Sequence, residues 1–207
     1  MNITRLDPLG LNTYPALEGA SAAPVIVFFG DSRAADWPAP ALAHGTVINR
    51  GIGAQTTAQV LGRFQAHVAP LKPQVVVIQA GINDLKTIPL FPEQKAAIIQ
   101  ACQDNLRQIV ALALNTGARV VVTTIFPLGA LPLERRLFWS DDVAAAIAEV
   151  NAYLATLAGE RVTVLDTGAV LVNSEGSVDP QYSRDFLHLN PAGYAALNQA
   201  IAGLIEP

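Results

Sequence analysis

"VIVFFGDSRAADW", residues 25–37, runs from five apolar residues into Gly30, Asp31 and Ser32 and then into a helix start. The five are apolar at both odd and even positions, as expected for a strand covered on both faces in a parallel sheet. Open α/β sheets carry their chemistry at the carboxyl ends of such strands. Gly, Asp and Ser are also ordinary turn residues. The stretch alone therefore leaves two readings open, a plain turn or a presented serine.

The rest of the chain repeats the pattern. Further apolar, β-branched runs occur at 46–49, 75–79, 119–125 and 161–165, with helical patterns near 55–69, 92–115, 141–158 and 191–204 between and after them. Alternating strands and helices predict an α/β fold, a three-layer α/β/α sandwich on a five-stranded parallel sheet of flavodoxin-like type. Local punctuation agrees: Pro73 ends a helix before the third strand, Gly117 caps another, and Asn190-Pro191 opens the last. No repeat or second domain is visible, so residues 1–207 read as one domain, with 1–23 as an arm packed on it.

Composition narrows the function classes. Of 207 residues, 51% are hydrophobic and 14% charged, which marks a globular chain rather than a disordered one. The net charge of -4, with no Lys/Arg run, offers no footprint for nucleic acid. No apolar run approaches the ~18 residues of a membrane span, and the opening stretch lacks a signal-peptide core. A soluble cytoplasmic protein is the expectation, with a homo-oligomer left open. The single cysteine, Cys102, reads as a small buried hydrophobe.

Four stretches fall at predicted strand ends or in a late loop: "GDS" (30–32), "NRGIGAQTT" (49–57), "GIND" (81–84) and "DFLH" (185–188). A serine hydroxyl is a weak nucleophile and needs a neighbouring base. His188 can supply one, since imidazole is the side chain that exchanges protons nearest neutrality. Asp185 lies three residues before it, on the same loop, where it can fix one tautomer and stabilise the protonated ring. In this order the four stretches resemble the nucleophile, second, G-x-N-D and D-x-x-H blocks of the SGNH, or GDSL-type, hydrolase family. Arg33-Ala34 after the serine departs from the G-x-S-x-G elbow of ordinary α/β-hydrolases.

The resemblance implies a carboxylic ester hydrolase acting through an acyl-serine on a small-molecule ester, with no cofactor and no metal. Its catalytic residues would be Ser32, Asp185 and His188. It implies an oxyanion hole from the Ser32 N–H, a backbone N–H of the second block and the Asn83 amide. Ala54 stands where the family usually has glycine. Its N–H serves equally well if φ is negative, and Gly53 is the alternative if the position demands φ > 0. Asp31, Gly81 and Asp84 read as support, Asp31 bracing the loop and Asp84 holding the "GIND" turn. Arg33 reads as a solvent-facing residue of an early helix, and His44 and His67 as surface or second-layer residues. Residues 125–142, with Arg135, Arg136 and a Phe-Trp pair, read as a pocket lining or flap, or equally as a packed apolar patch.

Substrate stays open at this point among small acyl esters, lysophospholipid-like lipids, acetylated carbohydrates and acyl-thioesters. Two other classes carry less weight. A metal phosphoesterase would need Asp31, Asn83, Asp84, Asp185 and His188 to converge on one ion, and their spacing is not compact. A silent binding module on the same fold would leave the Ser, Asn, Asp and His set unexplained.

Overall fold

The first strand, β1 (Val25–Gly30), is buried along its whole length, as its apolar run predicts. The computed structural model describes residues 23–135, 139 and 141–206, so the expected 1–23 arm lies almost wholly outside the described residues. β1 pairs in parallel with β2 (Thr46–Gly51) on one side and β3 (Val75–Gln79) on the other. β4 (Arg119–Thr123) and β5 (Val162–Leu165) continue the sheet, giving the order β2-β1-β3-β4-β5, all parallel. The α/β class and the five-stranded parallel sheet are as the sequence predicts.

The order reverses direction between β1 and β3. Chain leaving β1 moves outward to β2, and everything after β3 moves the other way. A crevice opens at such a switch point, above the carboxyl ends of the strands. Ser32, in α1 (Ser32–Ala35), follows β1, and Asn83, in α4 (Ile82–Leu85), follows β3, so both meet at that crevice.

Two apolar cores cover the sheet. Val25, Val27 and Phe29 pack with residues of α2 (Thr57–Gly62), α3 (Phe64–His67), α5 (Lys95–Asn115) and α6 (Asp141–Ala155). Ile26 and Phe28 face the other way, onto Trp37, Leu171 of α7 (Gly168–Leu171) and Tyr194, Leu197 and Ile201 of α8 (Pro191–Ile205). Cys102 is a free, buried member of the first core. The β1 and β3 ends approach so closely that a Cβ at Gly30 would lie 1.7 Å from the Gln79 carbonyl oxygen. Only glycine fits there.

Helix ends follow their signals. The Asn190 side chain accepts from Gly193 N–H at 3.0 Å, with Pro191 in the first turn of α8. The helical pattern over 55–69 splits into α2 and α3. The break falls at Arg63, φ −101° and ψ 1°, whose side chain is buried toward the strand ends.

Candidate active site

Ser32 is the first residue of α1, and Asp31 caps that helix by accepting Arg33 N–H at 2.9 Å. The Ser32 Oγ lies 3.2 Å from His188 Nε2. On the other side of the ring, His188 Nδ1 lies 3.0 and 3.1 Å from the two carboxylate oxygens of Asp185. An ionised carboxylate only accepts, so Nδ1 carries the proton and Nε2 is left to accept from the serine. Asp185 Oδ1 also accepts the N–H groups of Leu187 and His188, each at 2.8 Å. Burial pushes the Asp185 carboxyl up, but those N–H bonds, the ring and the His188 charge outweigh it, and its pKa is lowered. Three residues expected to act together are thus within hydrogen-bond reach in sequence.

The second block turns beside Ser32. A Cβ built at Gly53 would stand 4.0 Å from Ser32 Cβ. The Asn83 side chain, 2% exposed, donates one amide hydrogen to the Gln55 carbonyl at 2.9 Å. Its second amide hydrogen remains for another acceptor. The N–H groups of Ser32 and Ala54 find no acceptor among the described residues. Ala54 corrects the expectation of a relaxed backbone: its φ is +65°, in the left-handed region. The turn demands a conformation that suits glycine, and it demands it at position 54, whereas Gly53 lies outside the positive-φ region. Gly53 does not need to replace Ala54, because a left-handed alanine still carries its N–H.

Asp31, Gly81 and Asp84 lie beneath these groups. Burial pushes the Asp31 carboxyl up to about 6 against the opposing charges of Arg33, Lys86 and His188, and its Oδ2 has no partner among the described residues. Asp84 does more than brace its own turn, where its carboxylate interacts with its own N–H. It reaches across to α2, accepting the Thr57 N–H at 2.9 Å and the Thr57 hydroxyl at 2.7 Å. Burial lifts its pKa to about 7 despite those bonds, and the Asp31 charge adds to the rise. Gly81, φ +127°, opens the "GIND" turn, and a Cβ there would press to 2.7 Å from Ile125 Cδ1.

Arg33 overturns the solvent-facing expectation. It is fully buried, donating from Nε to the Leu187 carbonyl at 3.0 Å and from Nη1 to the Phe126 carbonyl at 2.9 Å. Its neighbours in sequence, Asp31-Ser32 before it and Ala34-Ala35 after it, gave no sign of this. Arg63, not singled out from sequence, is a second buried guanidinium. It donates to the Gln55 side chain at 2.6 Å and to the carbonyls of Arg50 and Gly30, each at 2.8 Å. Asn49 donates to the carbonyls of Ala34 and Trp37, tying β2 to α1. His44 is exposed, while His67 is buried in α3, away from these contacts.

A cleft of about 660 Å³ opens beside His188, lined by Lys86, Leu90, Arg135, Trp139, Phe186 and Leu187 among others. Trp139 and Phe186 meet edge to face at 5.1 Å between ring centres. The 125–142 segment thus contributes to a pocket wall through Arg135 and Trp139, while Arg136 lies outside the described residues. Among the described residues, no three His, Cys, Asp or Glu side chains are grouped to hold a metal ion. Asp84 is engaged by Thr57 and Asp185 by His188. No described helix is long and apolar enough to cross a membrane.

Ser32, His188 and Asp185 thus stand in hydrogen-bond sequence at the carboxyl end of a parallel α/β/α sheet, an arrangement that serine hydrolases of several folds share. Residues 17–196 match the model of the GDSL-like lipase/acylhydrolase family, and the chain belongs to that family. Among curated proteins it is 30% identical over 164 residues to the human platelet-activating factor acetylhydrolase IB subunit alpha2, covering 76% of this chain. The chain spans 63% of the length of that relative. Among solved structures, a GDSL-like lipase from Bacteroides thetaiotaomicron has a TM-score of 0.65 at 23% identity, over 87% of each chain. An acetylxylan esterase from Geobacillus stearothermophilus has 0.63 at 19% identity, over 91% of this chain and 96% of that one. At these identities the structural likeness speaks for the fold.

Proposed function

We propose that the protein is a carboxylic ester hydrolase working through an acyl-serine intermediate, with Ser32 as nucleophile, His188 as general base and Asp185 as its orienting partner. The observation that carries this reading is the relay from Ser32 Oγ to His188 Nε2 at 3.2 Å and from His188 Nδ1 to Asp185 at 3.0 Å. Ser32 Oγ attacks the ester carbonyl carbon while its proton passes to Nε2. Asp185 stabilises the imidazolium so formed. The carbonyl oxygen becomes negative and accepts from Ser32 N–H, Ala54 N–H and the remaining amide hydrogen of Asn83. Each such donor is worth on the order of 10²–10³ in rate. As the intermediate collapses, the carbon–oxygen bond to the alcohol breaks and the alcohol leaves with the proton from Nε2. Water, deprotonated by the same nitrogen, then clears the acyl group and restores the serine.

The substrate side of the proposal is a short-chain acyl ester, acetyl in the first instance. The names of the human relative and of the Geobacillus esterase both carry acetyl-ester hydrolysis, and the cleft beside His188 offers apolar walls with charged side chains of both signs for the rest of the molecule. The test is a p-nitrophenyl ester series from acetate to palmitate, beside an acetylated xylo-oligosaccharide and an acetyl thioester. The proposal expects the highest kcat/KM on acetate among the nitrophenyl esters. A maximum at the long-chain end of the series would replace the short-acyl reading by a lipase one.

A further inference from the structure

Arg33 is covalently next to the nucleophile, and its guanidinium holds the loop that carries the base. Its Nε donates to the Leu187 carbonyl at 3.0 Å. Nη1 donates to the Phe126 carbonyl at 2.9 Å, and the guanidinium carbon lies 5.1 Å from the centre of the Phe126 ring. Its own carbonyl accepts the Tyr194 hydroxyl of α8 at 3.0 Å. The Leu187 carbonyl and the His188 N–H belong to one planar peptide group. The N–H end of that group donates to Asp185 Oδ1 at 2.8 Å, and the carbonyl end is gripped by Arg33. The peptide that carries His188 is therefore held at both ends, and one hold comes from the residue bonded to Ser32.

Desolvating a guanidinium is costly, and a simple apolar side chain would fill the same space beside the Phe126 ring without that cost. Nor does lysine offer the same contacts. Two carbonyls from different loops are met by one rigid fork, whereas an ammonium presents a single point charge on a flexible stem.

We propose that Arg33 is a positioning residue that sets the approach of Ser32 and His188 by holding the Leu187–His188 peptide. The proposal rests on the reading of Ser32 and His188 as nucleophile and base. It is tested by assaying Arg33→Met and Arg33→Lys on p-nitrophenyl acetate, in the wild-type and His188→Ala backgrounds, with circular dichroism and thermal unfolding alongside. Misplacing the base by about 1 Å costs on the order of 10² in rate, so Arg33→Met is expected to lower kcat by about that factor with KM nearly unchanged. Arg33→Lys is expected to fall between, since one donor is kept. In His188→Ala, whose base is already gone, Arg33→Met is expected to change the residual rate by less than about twofold, because residues acting as a unit are non-additive. An equal loss in both backgrounds means a merely structural role and overturns the proposal, as does an unchanged kcat in Arg33→Met. If Arg33→Met does not fold, Arg33→Lys, which keeps stem and charge, carries the same comparison. Failure of the underlying serine reading is distinct: Ser32→Ala would then retain full hydrolysis.

Discussion

Replacing Ala54 by glycine is expected to stabilise this protein, against the usual rule that glycine weakens a fold. The reasoning starts from φ +65° at an exposed residue. An L-residue with a Cβ in the left-handed region is strained by roughly 1.5 kcal/mol. Glycine relieves that strain, but frees the unfolded chain by about 0.7 kcal/mol. The Cβ is exposed, so its removal costs little packing. The net is about 0.8 kcal/mol in favour of glycine, or a rise in Tm of about 2–3 °C for a chain of this size. Scanning fluorimetry and urea unfolding at constant pH measure it. The N–H belongs to the backbone, so kcat should not fall. A Tm that is unchanged or lower in Ala54→Gly would refute the strain argument, and a collapse of kcat would refute the use of that N–H.

Three further outcomes follow from the same geometry. Asn83→Ala should lower kcat by about 10²–10³ with the fold intact, because that donor is a side chain; steady-state kinetics with a melting curve decides. Asp185→Asn and His188→Ala should each depress kcat far more than they raise KM, and the double variant should be little worse than His188→Ala alone; additive losses would give Asp185 a separate role. Stability should fall as pH rises from 5 to 8. Asp31 and Asp84, held up to about 6 and about 7 by burial, keep protons in the folded state that the unfolded chain has lost above about pH 4. Their contribution is fully present below that pH and is lost as pH climbs through 6 and 7. Asp31→Asn, which keeps the cap through the oxygen that accepts Arg33 N–H, should flatten the part of the slope near pH 6.

What was legible in the sequence divides along physical lines. The strands announced themselves because a doubly covered sheet needs apolar residues on both faces, and β1 and β3 are buried throughout. That Ser32, Asp185 and His188 come together was legible because serine, histidine and aspartate fall in two short segments, one after β1 and one in the loop before α8, which the fold brings within hydrogen-bond reach. The backbone at position 54 was not, since alanine carries no mark of the sign of its φ. The buried roles of Arg33 and Arg63 were hidden for a related reason. Their acceptors are main-chain carbonyls of Leu187, Phe126, Arg50 and Gly30, and a carbonyl leaves no trace in residue identity. The second role of Asp84 was hidden as well, since Thr57 lies in another block and is brought near only by the fold.

The central claim is that Ser32 Oγ is the nucleophile that receives the acyl group from the ester. Rapid quench of the protein with excess p-nitrophenyl acetate, followed by intact mass measurement and peptide mapping, tests it most directly. One acetyl group per chain, mapped to the peptide containing Ser32, accumulated further in Asp185→Asn if deacylation slows, and absent from Ser32→Ala, is the predicted result. Acetylation that persists in Ser32→Ala, or hydrolysis by Ser32→Ala at the wild-type rate, would contradict it.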